Sequence, residues 1–252
     1  MTAGYTEFEF NLPEALLARL VKAFDSFAAA PLAKQTVDAI PNEQGVYQLF
    51  LSGVLTYIGK TDAQHGLRVR LLRHAQKIQY RLNLNPSDVT FKAVRVYVFT
   101  AIDLEKQLID HYGGAPWNGS GFGSNDPGVK RDTTDYKPEH FEFQYPIDIN
   151  RALTFPVPNT GTAADVLNAL KTNLPYLIRF QRPKGKPKNA HSDLEQTKVT
   201  LSAAANSPAL VIAEVLNQLP SGWHATMLPS HVIIYKNDTR TFPSGVVIAN
   251  SP

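Results

Sequence analysis

Apolar positions recur along the chain at two different periods, which predict a mixture of helices and strands. Apolar residues at helical spacing mark segments at residues 13–30, 66–82, 102–112, 162–173 and 207–219. Runs rich in β-branched and aromatic residues predict strands at residues 46–51, 54–58, 89–99, 175–181, 231–236 and 245–250. This order of elements predicts an α+β fold with a small antiparallel or mixed sheet flanked by helices.

The first two predicted strands form a hairpin around Ser52 and Gly53, and the turn decides where two tyrosines point. A two-residue turn places Tyr57 on the opposite face of the hairpin from Tyr47. A three-residue connection, or a bulge with the same effect, brings the two tyrosines to one face. Buried tyrosines are ordinarily core residues, but a joint catalytic role requires the second register, which we favour.

The helix at residues 66–82 carries an apolar stripe and a basic stripe beside it. The apolar stripe contains Leu67, Leu71, Ala75, Ile78 and Leu82. The basic stripe contains Arg70, His74, Lys77 and Arg81. The stripes are roughly 60° apart on the helix, so the basic residues border the core. They either line a groove that could bind phosphate or lie along the core edge with their charged ends in water.

The next helix, at residues 102–112, has a carboxylate where an apolar residue is expected. Glu105 shares a helical face with Ala101, Leu108 and Tyr112. A carboxylate near the core must be paired, protonated or bound to a cation, because burying it alone costs several kcal/mol. A salt bridge to a nearby arginine and a metal site are both consistent with this position, and Mg²⁺ is commonly held by one or two carboxylates.

The amino-acid composition excludes several classes of site and reaction. The chain has 252 residues and no cysteine, which excludes disulfide frameworks, zinc ribbons, iron–sulfur centres and thiol nucleophiles. No apolar run reaches the roughly 18–20 residues that a membrane span needs, and no signal-peptide pattern is present. We therefore expect a soluble, cytoplasmic protein. The segment 182–192 is dense in Pro, Gly and Lys, and predicts a linker between a body at residues 1–188 and an accessory unit at residues 189–252.

The net charge of +3 hides a segregated distribution. Residues 45–100 contain eight bases and two acids, a net charge of +6, and a second basic cluster occupies residues 179–188. A segregated basic surface is typical of proteins that bind a polyanion, although a solvated basic face without a partner gives the same pattern. The accessory unit has three bases and four acids, so packing or dimerisation suits it better than DNA binding.

Several motifs in order resemble one nuclease family. They are GVY at residues 45–47, YIGK at 57–60, Arg70 and His74 on one helix, Glu105, and WN at 117–118. Together they resemble the GIY-YIG endonuclease superfamily over residues 45–120, with Val46 in place of the usual isoleucine. The glycine-rich tail at 117–128, and the helix and strand at 162–181, resemble the branch that contains type II restriction enzymes.

The resemblance implies a metal-dependent phosphodiesterase. Glu105 would hold one Mg²⁺, with Mn²⁺ as a substitute. Tyr47 would activate the attacking water beside Tyr57, and Lys60 would lower the pKa of both hydroxyls. Arg70 would stabilise negative charge on the phosphate. The remaining catalytic residues would position the nucleophile or the phosphate backbone: His74 and Asn118.

The resemblance also implies a partner, double-stranded DNA, cut at a specific site as part of restriction–modification. Enzymes that read palindromes act as two-fold dimers, so a homodimer is expected. Lys130 and Arg131 are candidates for guanine contacts. With these two, the candidate DNA-binding residues are Arg68, Arg73, Lys77, Lys130, Arg131, Arg182 and Lys184.

Other functions remain open at the level of sequence. A repair or mobile-element nuclease with the same core is one alternative, and a non-catalytic DNA-binding module is another. The glycines of GSGFGS at residues 119–124 do not have the spacing of a dinucleotide-binding loop, and no strand precedes them.

Overall fold

A computed structural model describes residues 4–9, 11–61, 64–97, 104–123, 128–183 and 189–252. The chain divides into two compact units. The first combines residues 1–75 with 85–118, and the second combines residues 76–84 with 119–252. Both contain helices and sheets, so the fold is of the mixed α+β class that the hydrophobic pattern predicts. Within the described ranges, no helix has the length and apolar character to cross a membrane.

The first unit is built on a four-stranded antiparallel sheet with the strand order β1-β4-β2-β3. Its strands are β1 (Ala30–Pro31), β2 (Gly45–Leu51), β3 (Val54–Lys60) and β4 (Val89–Arg95). Its helices are α1 (Leu12–Asp25), α2 (Lys34–Asp38), α3 (Leu67–Gln79) and α4 (Leu104–His111), with a 3₁₀ turn at Pro86–Asp88. The last turn of α3 belongs to the second unit.

Helices cover both faces of this sheet. Val46 and Ile58 point to one face, where they share a buried cluster with Phe24 of α1 and with Leu104 and Leu108 of α4. On the other face, α3 approaches so closely that a Cβ atom on Gly45 would lie 2.7 Å from Leu67. Glycine at the start of β2 therefore allows α3 to pack against the sheet.

The hairpin between β2 and β3 has a two-residue turn followed by a bulge. Ser52 and Gly53 both adopt positive φ angles, 49° and 82°, and Leu51 pairs with Val54. The register then shifts, because β3 contains one extra residue opposite Leu49 and Phe50. The predicted three-residue connection is wrong, and the bulge provides the same-face arrangement that we favoured.

The second unit contains a four-stranded sheet with the order β10-β8-β9-β6. Only β6 and β9 are parallel among its pairs. The strands of this unit are β5 (Thr160–Thr162), β6 (Leu177–Phe180), β7 (Lys198–Thr200), β8 (Trp223–Met227), β9 (His231–Lys236) and β10 (Val246–Asn250). Its helices are α5 (Phe141–Gln144), α6 (Ala163–Asn173), α7 (Ser192–Gln196) and α8 (Pro208–Leu216), with a 3₁₀ helix at Val129–Thr133.

The division of the chain into two units does not follow the boundary predicted at residue 188. Strand β6 pairs with β9 along Leu177–Phe180, so the sheet joins the two sides of the predicted linker. Leu167 of α6 also shares a buried core with Leu194 and Val211. Residues 189–252 are therefore part of a larger unit, and α6 with β6 belongs to this unit rather than to the sheet that carries Tyr47.

Candidate active site

Tyr47 and Tyr57 lie side by side on the face of the first sheet that α3 covers. Tyr47 pairs with Gly59, and Tyr57 pairs with Leu49, so the tyrosines are diagonal neighbours whose ring centroids are 6.0 Å apart. A Cβ atom on Gly59 would lie 2.4 Å from the Tyr47 hydroxyl oxygen. Glycine at this position therefore leaves the space that the Tyr47 ring occupies.

Helix α3 contributes Arg70 and His74 to the same cluster. The Tyr47 hydroxyl lies 2.8 Å from His74 Nε2, and Arg70 Nε donates a hydrogen bond of 3.3 Å to it. The His74 ring also contacts Tyr57 edge-on, with a centroid distance of 5.5 Å. A spacing of four residues places Arg70 and His74 on one helical face. These two residues of the basic stripe therefore both contact the tyrosines.

Burial controls the ionisation of the two hydroxyls. It raises the pKa of Tyr47 and of Tyr57 above the ordinary value, and the positive charge of Arg70 partly opposes this effect at both. The hydrogen bond between the hydroxyls raises the pKa of Tyr47 and lowers that of Tyr57. Both hydroxyls are therefore neutral phenols near neutral pH.

Lys60 was expected to lower these pKa values, and Arg70 is a cation that does so. Lys60 is exposed at the end of β3, opposite Val46. Arg70, half-buried against the tyrosines, is the cation whose charge lowers their pKa.

Glu105 lies in the first turn of α4 at the border of the apolar face. Leu104 and Leu108 are buried in the core, and Glu105 is half-buried beside them. Glu105 therefore borders the buried face of α4, and Leu104 occupies the core position that was predicted for Glu105. Ala101, which was placed on the same face, lies outside the described residues. The charge of Glu105 acts on the cluster, because it raises the pKa of Tyr57.

Glu105 supplies one carboxylate, an oxygen ligand of the kind that Mg²⁺ prefers. Within the part of the chain that the structure describes, no group of three His, Cys, Asp or Glu side chains could hold a metal ion. A Mg²⁺ ion bound at Glu105 would therefore need waters and a substrate phosphate among its ligands.

Asn118 is attached to the edge strand β3. Its Oδ1 accepts a hydrogen bond of 2.9 Å from the Ile58 N–H, and its Nδ2 donates one of 2.8 Å to the Ile58 carbonyl. The Trp117 N–H also donates to the Thr56 carbonyl, at 2.8 Å. Orientation of the site fits this geometry, and the second Nδ2–H of Asn118 is the donor that a phosphate contact would use.

The predicted DNA-binding residues divide into those that face solvent and those held by the protein. Arg73, Lys130 and Arg182 are exposed, and Arg68 is half-buried. The pKa of Arg73 is lowered by burial and by the like charge of Arg70, which places it near the cluster. Lys184 lies outside the described residues.

Lys77 and Arg131 are engaged inside the second unit. The Lys77 ammonium donates to the carbonyls of Gly121 and Phe122. The Arg131 guanidinium donates to buried Glu142 at 2.9 Å and to the Tyr136 hydroxyl at 3.3 Å. The Arg131 interactions disfavour its predicted guanine contact.

Arg81 and Arg179, from the two predicted basic clusters, are likewise held by the protein. Arg81 is buried and donates to the carbonyls of Tyr145 and Pro229, and burial lowers its pKa to about 10. Arg179 forms an ion pair with Asp132. Neither charge is available to a ligand.

Sequence reasoning missed a buried polar network around Asp132. This carboxylate is fully buried and also accepts hydrogen bonds from His231 Nε2, at 2.8 Å, and from the Tyr235 hydroxyl, at 3.1 Å. His231 Nδ1 lies 2.7 Å from Ser230 Oγ, which lies 3.0 Å from the Tyr136 hydroxyl. The partners are about 100 residues apart in sequence, so no local pattern links them.

Comparison with known proteins does not assign this chain to a family. A scan of protein-family models returned no match, and a search of curated proteins found no significant relative.

Proposed function

We propose that this protein is a site-specific endonuclease that hydrolyses phosphodiester bonds in double-stranded DNA with one divalent metal ion, as type II restriction enzymes do. The observation that carries the proposal is the convergence of Tyr47, Tyr57, Arg70 and His74 in one cluster, with the charge of Glu105 acting on it. These are the residues through which residues 45–120 resemble the GIY-YIG superfamily.

Arg70 provides electrostatic stabilisation in this mechanism. Phosphodiester hydrolysis places additional negative charge on the phosphate oxygens as the nucleophile attacks. A fixed guanidinium stabilises that charge without having to reorganise during the reaction. Arg70 is half-buried and hydrogen-bonded to the Tyr47 hydroxyl, so its position is set before substrate binds.

The tyrosines and His74 form a short path for a proton. An attacking water can give a proton to the Tyr47 hydroxyl oxygen, beside Tyr57. The Tyr47 hydroxyl, 2.8 Å from His74 Nε2, can pass its own proton to the imidazole as it receives another. The relay allows a phenol of raised pKa to participate without becoming a free phenolate.

Glu105 is the residue that would hold the metal ion. Bound there, Mg²⁺, or Mn²⁺ in its place, would supply positive charge to the scissile phosphate and the leaving oxygen. The remaining part of the proposal is a homodimer on palindromic DNA, in which protein symmetry matches site symmetry.

Substitution of Glu105 tests the proposal. Purified protein is incubated with plasmid and genomic DNA in Mg²⁺ or in EDTA, and we expect discrete fragments in Mg²⁺ alone. Glu105→Gln removes the charge that holds the metal and should reduce the cleavage rate more than about a hundredfold, while DNA binding in EDTA is retained.

The control is Asp110→Asn, which removes an exposed acid from the same helix and should cleave at the wild-type rate. Intact DNA with the wild-type protein would refute the nuclease proposal. A Mg²⁺-dependent smear would instead favour a non-specific or repair nuclease. Wild-type cleavage by Glu105→Gln would refute the metal assignment.

A further inference from the structure

A polar cavity in the second unit is not part of the catalytic cluster. Its volume is about 250 Å³, and it is lined by the end of α3, the end of α6 and the loop at residues 151–155. Tyr80 contributes an aromatic surface, held edge-on against Tyr176 with a centroid distance of 6.1 Å. The side chains that line the cavity with hydrogen-bonding groups are Gln76, Gln79, Arg151, Thr154 and Asn173.

The Arg151 guanidinium lies over the Tyr80 ring, 5.2 Å from its centroid. Arg81, Arg131 and Arg240 also lie over aromatic rings, but Arg131 and Arg240 form ion pairs with carboxylates as well, and Arg81 donates to backbone carbonyls. No acidic or hydrogen-bonding partner of Arg151 occurs among the described residues.

The stacking fixes the position of the Arg151 guanidinium and leaves its donors available. An arginine stacked on an aromatic ring loses less conformational entropy when it binds a ligand. Its planar fork matches a pair of acceptors, such as O6 and N7 of guanine.

The cavity also presents planar amides. Gln76 and Gln79 are exposed and form no hydrogen bond to another described residue. Asn173 donates from Nδ2 to the Ala169 carbonyl, which leaves its Oδ1 as an available acceptor. A glutamine amide offers one donor and one acceptor side by side, the pattern that adenine N7 and N6 complement.

We propose that this cavity reads base edges in DNA, with Arg151 contacting a guanine and Gln76 or Gln79 contacting an adenine. The inference rests on the proposed function, and it assigns sequence recognition to residues that the motifs do not contain. Gln76 and Gln79 belong to α3, the helix that also carries Arg70 and His74.

Selection from a duplex library with a randomised core tests the proposal. Wild-type protein in EDTA, which prevents cleavage, should enrich a defined sequence. Arg151→Ala should lose the preference at one guanine position and bind the selected duplex about ten- to a hundredfold more weakly. Gln76→Ala with Gln79→Ala should lose the preference at an adenine position.

Two control variants and a stability measurement distinguish a loss of base recognition from a loss of positive charge and from a loss of folding. Arg151→Lys keeps the positive charge but lacks the planar fork, so its affinity for unselected DNA should equal that of the wild type while the guanine preference is weakened. Lys198→Ala removes an exposed cation elsewhere in the unit and should leave the selected sequence unchanged. The melting temperature of each variant is measured alongside.

The outcomes distinguish this inference from the proposed function. Enrichment of the same sequence by wild type and by the cavity variants overturns the inference and leaves the nuclease proposal intact. Plasmid cleavage by a wild-type protein that enriches no sequence overturns the inference as well. A wild-type protein that neither binds nor cuts DNA overturns both.

Discussion

Asn118 takes the place of a neighbouring strand at the edge of the first sheet. Its amide accepts from the Ile58 N–H and donates to the Ile58 carbonyl, as the backbone of a paired strand would. Ile58 lies between Tyr57 and Gly59, so this pair of hydrogen bonds fixes the part of β3 that carries the tyrosine and accommodates the Tyr47 ring.

The Asn118→Asp variant tests this positioning role. A carboxylate still accepts from the Ile58 N–H, but it cannot donate to the Ile58 carbonyl and repels that oxygen. We expect the free energy of unfolding to fall by about 1–3 kcal/mol, measured by chemical denaturation. The rate of DNA cleavage should fall as well, because Tyr57 loses its fixed position.

Asn118→Ala provides the comparison, since it removes both hydrogen bonds without introducing a charge. If Asn118 instead contacts phosphate, both variants should lose DNA affinity while unfolding at the wild-type denaturant concentration. That result would contradict the positioning role.

Residue types in the sequence predict which groups can ionise, but not which of them are already paired. Arg70 and His74 meet the tyrosines as their spacing indicates. Arg131 and Arg179 carry the same charge as Arg70, but their guanidinium groups bind the buried carboxylates of Glu142 and Asp132. Those partners come from distant segments, so the composition of a basic cluster cannot reveal them.

At the scale of elements, hydrophobic periodicity predicts where a helix or strand lies better than it predicts where that element ends. The helix predicted at residues 13–30 ends at Asp25, because Ala30 and Pro31 pair with β4. The predicted strand at 231–236 is confirmed as β9. Its neighbour β8 was missed, because its sequence, WHATM, mixes inward and outward residues without clear alternation. The pairing of β1 with β4 joins residues about 60 positions apart, so no local pattern encodes it, whereas β8 forms a hairpin with β9.

Asp132 joins three elements of the second unit. It lies in the 3₁₀ helix at Val129–Thr133, and it contacts Arg179 of β6 and His231 of β9. Burial alone would raise the pKa of Asp132, but its hydrogen bond with His231 and the charge of Arg179 lower it overall. The ionised carboxylate is consequently the form that the folded protein stabilises.

The Asp132→Asn variant should destabilise the second unit at neutral pH. It leaves the Arg179 guanidinium without its counter-charge in a buried site, and the free energy of unfolding should fall by about 3 kcal/mol. Denaturant titration at pH 7 measures the change. Asp135→Asn, at an exposed position in the same segment, should have no such effect.

The difference between wild type and Asp132→Asn should depend on pH. A carboxylate with a lowered folded-state pKa contributes its stability above the unfolded-state pKa, and that contribution is lost as pH falls through the folded-state pKa. The stability difference should therefore be constant from pH 7 to about pH 5 and decrease below pH 4. A difference that grows on acidification would contradict the assignment.

At the scale of the whole molecule, the charge pattern predicted a polyanion partner without showing which charges are available to it. The stretch with a net charge of +6 includes Lys77 and Arg81, which are held by backbone carbonyls. Arg68 and Arg73 are in the same stretch, and neither has an acidic partner among the described residues. The available positive charge is therefore smaller than the sequence total.

Salt dependence of DNA binding measures this available charge. Each phosphate contact contributes about 0.9 to the slope of log binding constant against log salt concentration, because binding releases condensed counterions. Arg68→Ala with Arg73→Ala should lower the magnitude of the slope by about 2, measured by fluorescence anisotropy in EDTA. Lys77→Ala removes a charge that Gly121 and Phe122 already hold, so it should lower stability and leave the slope unchanged. Equal slopes for the double variant and the wild type would show that these arginines do not contact phosphate.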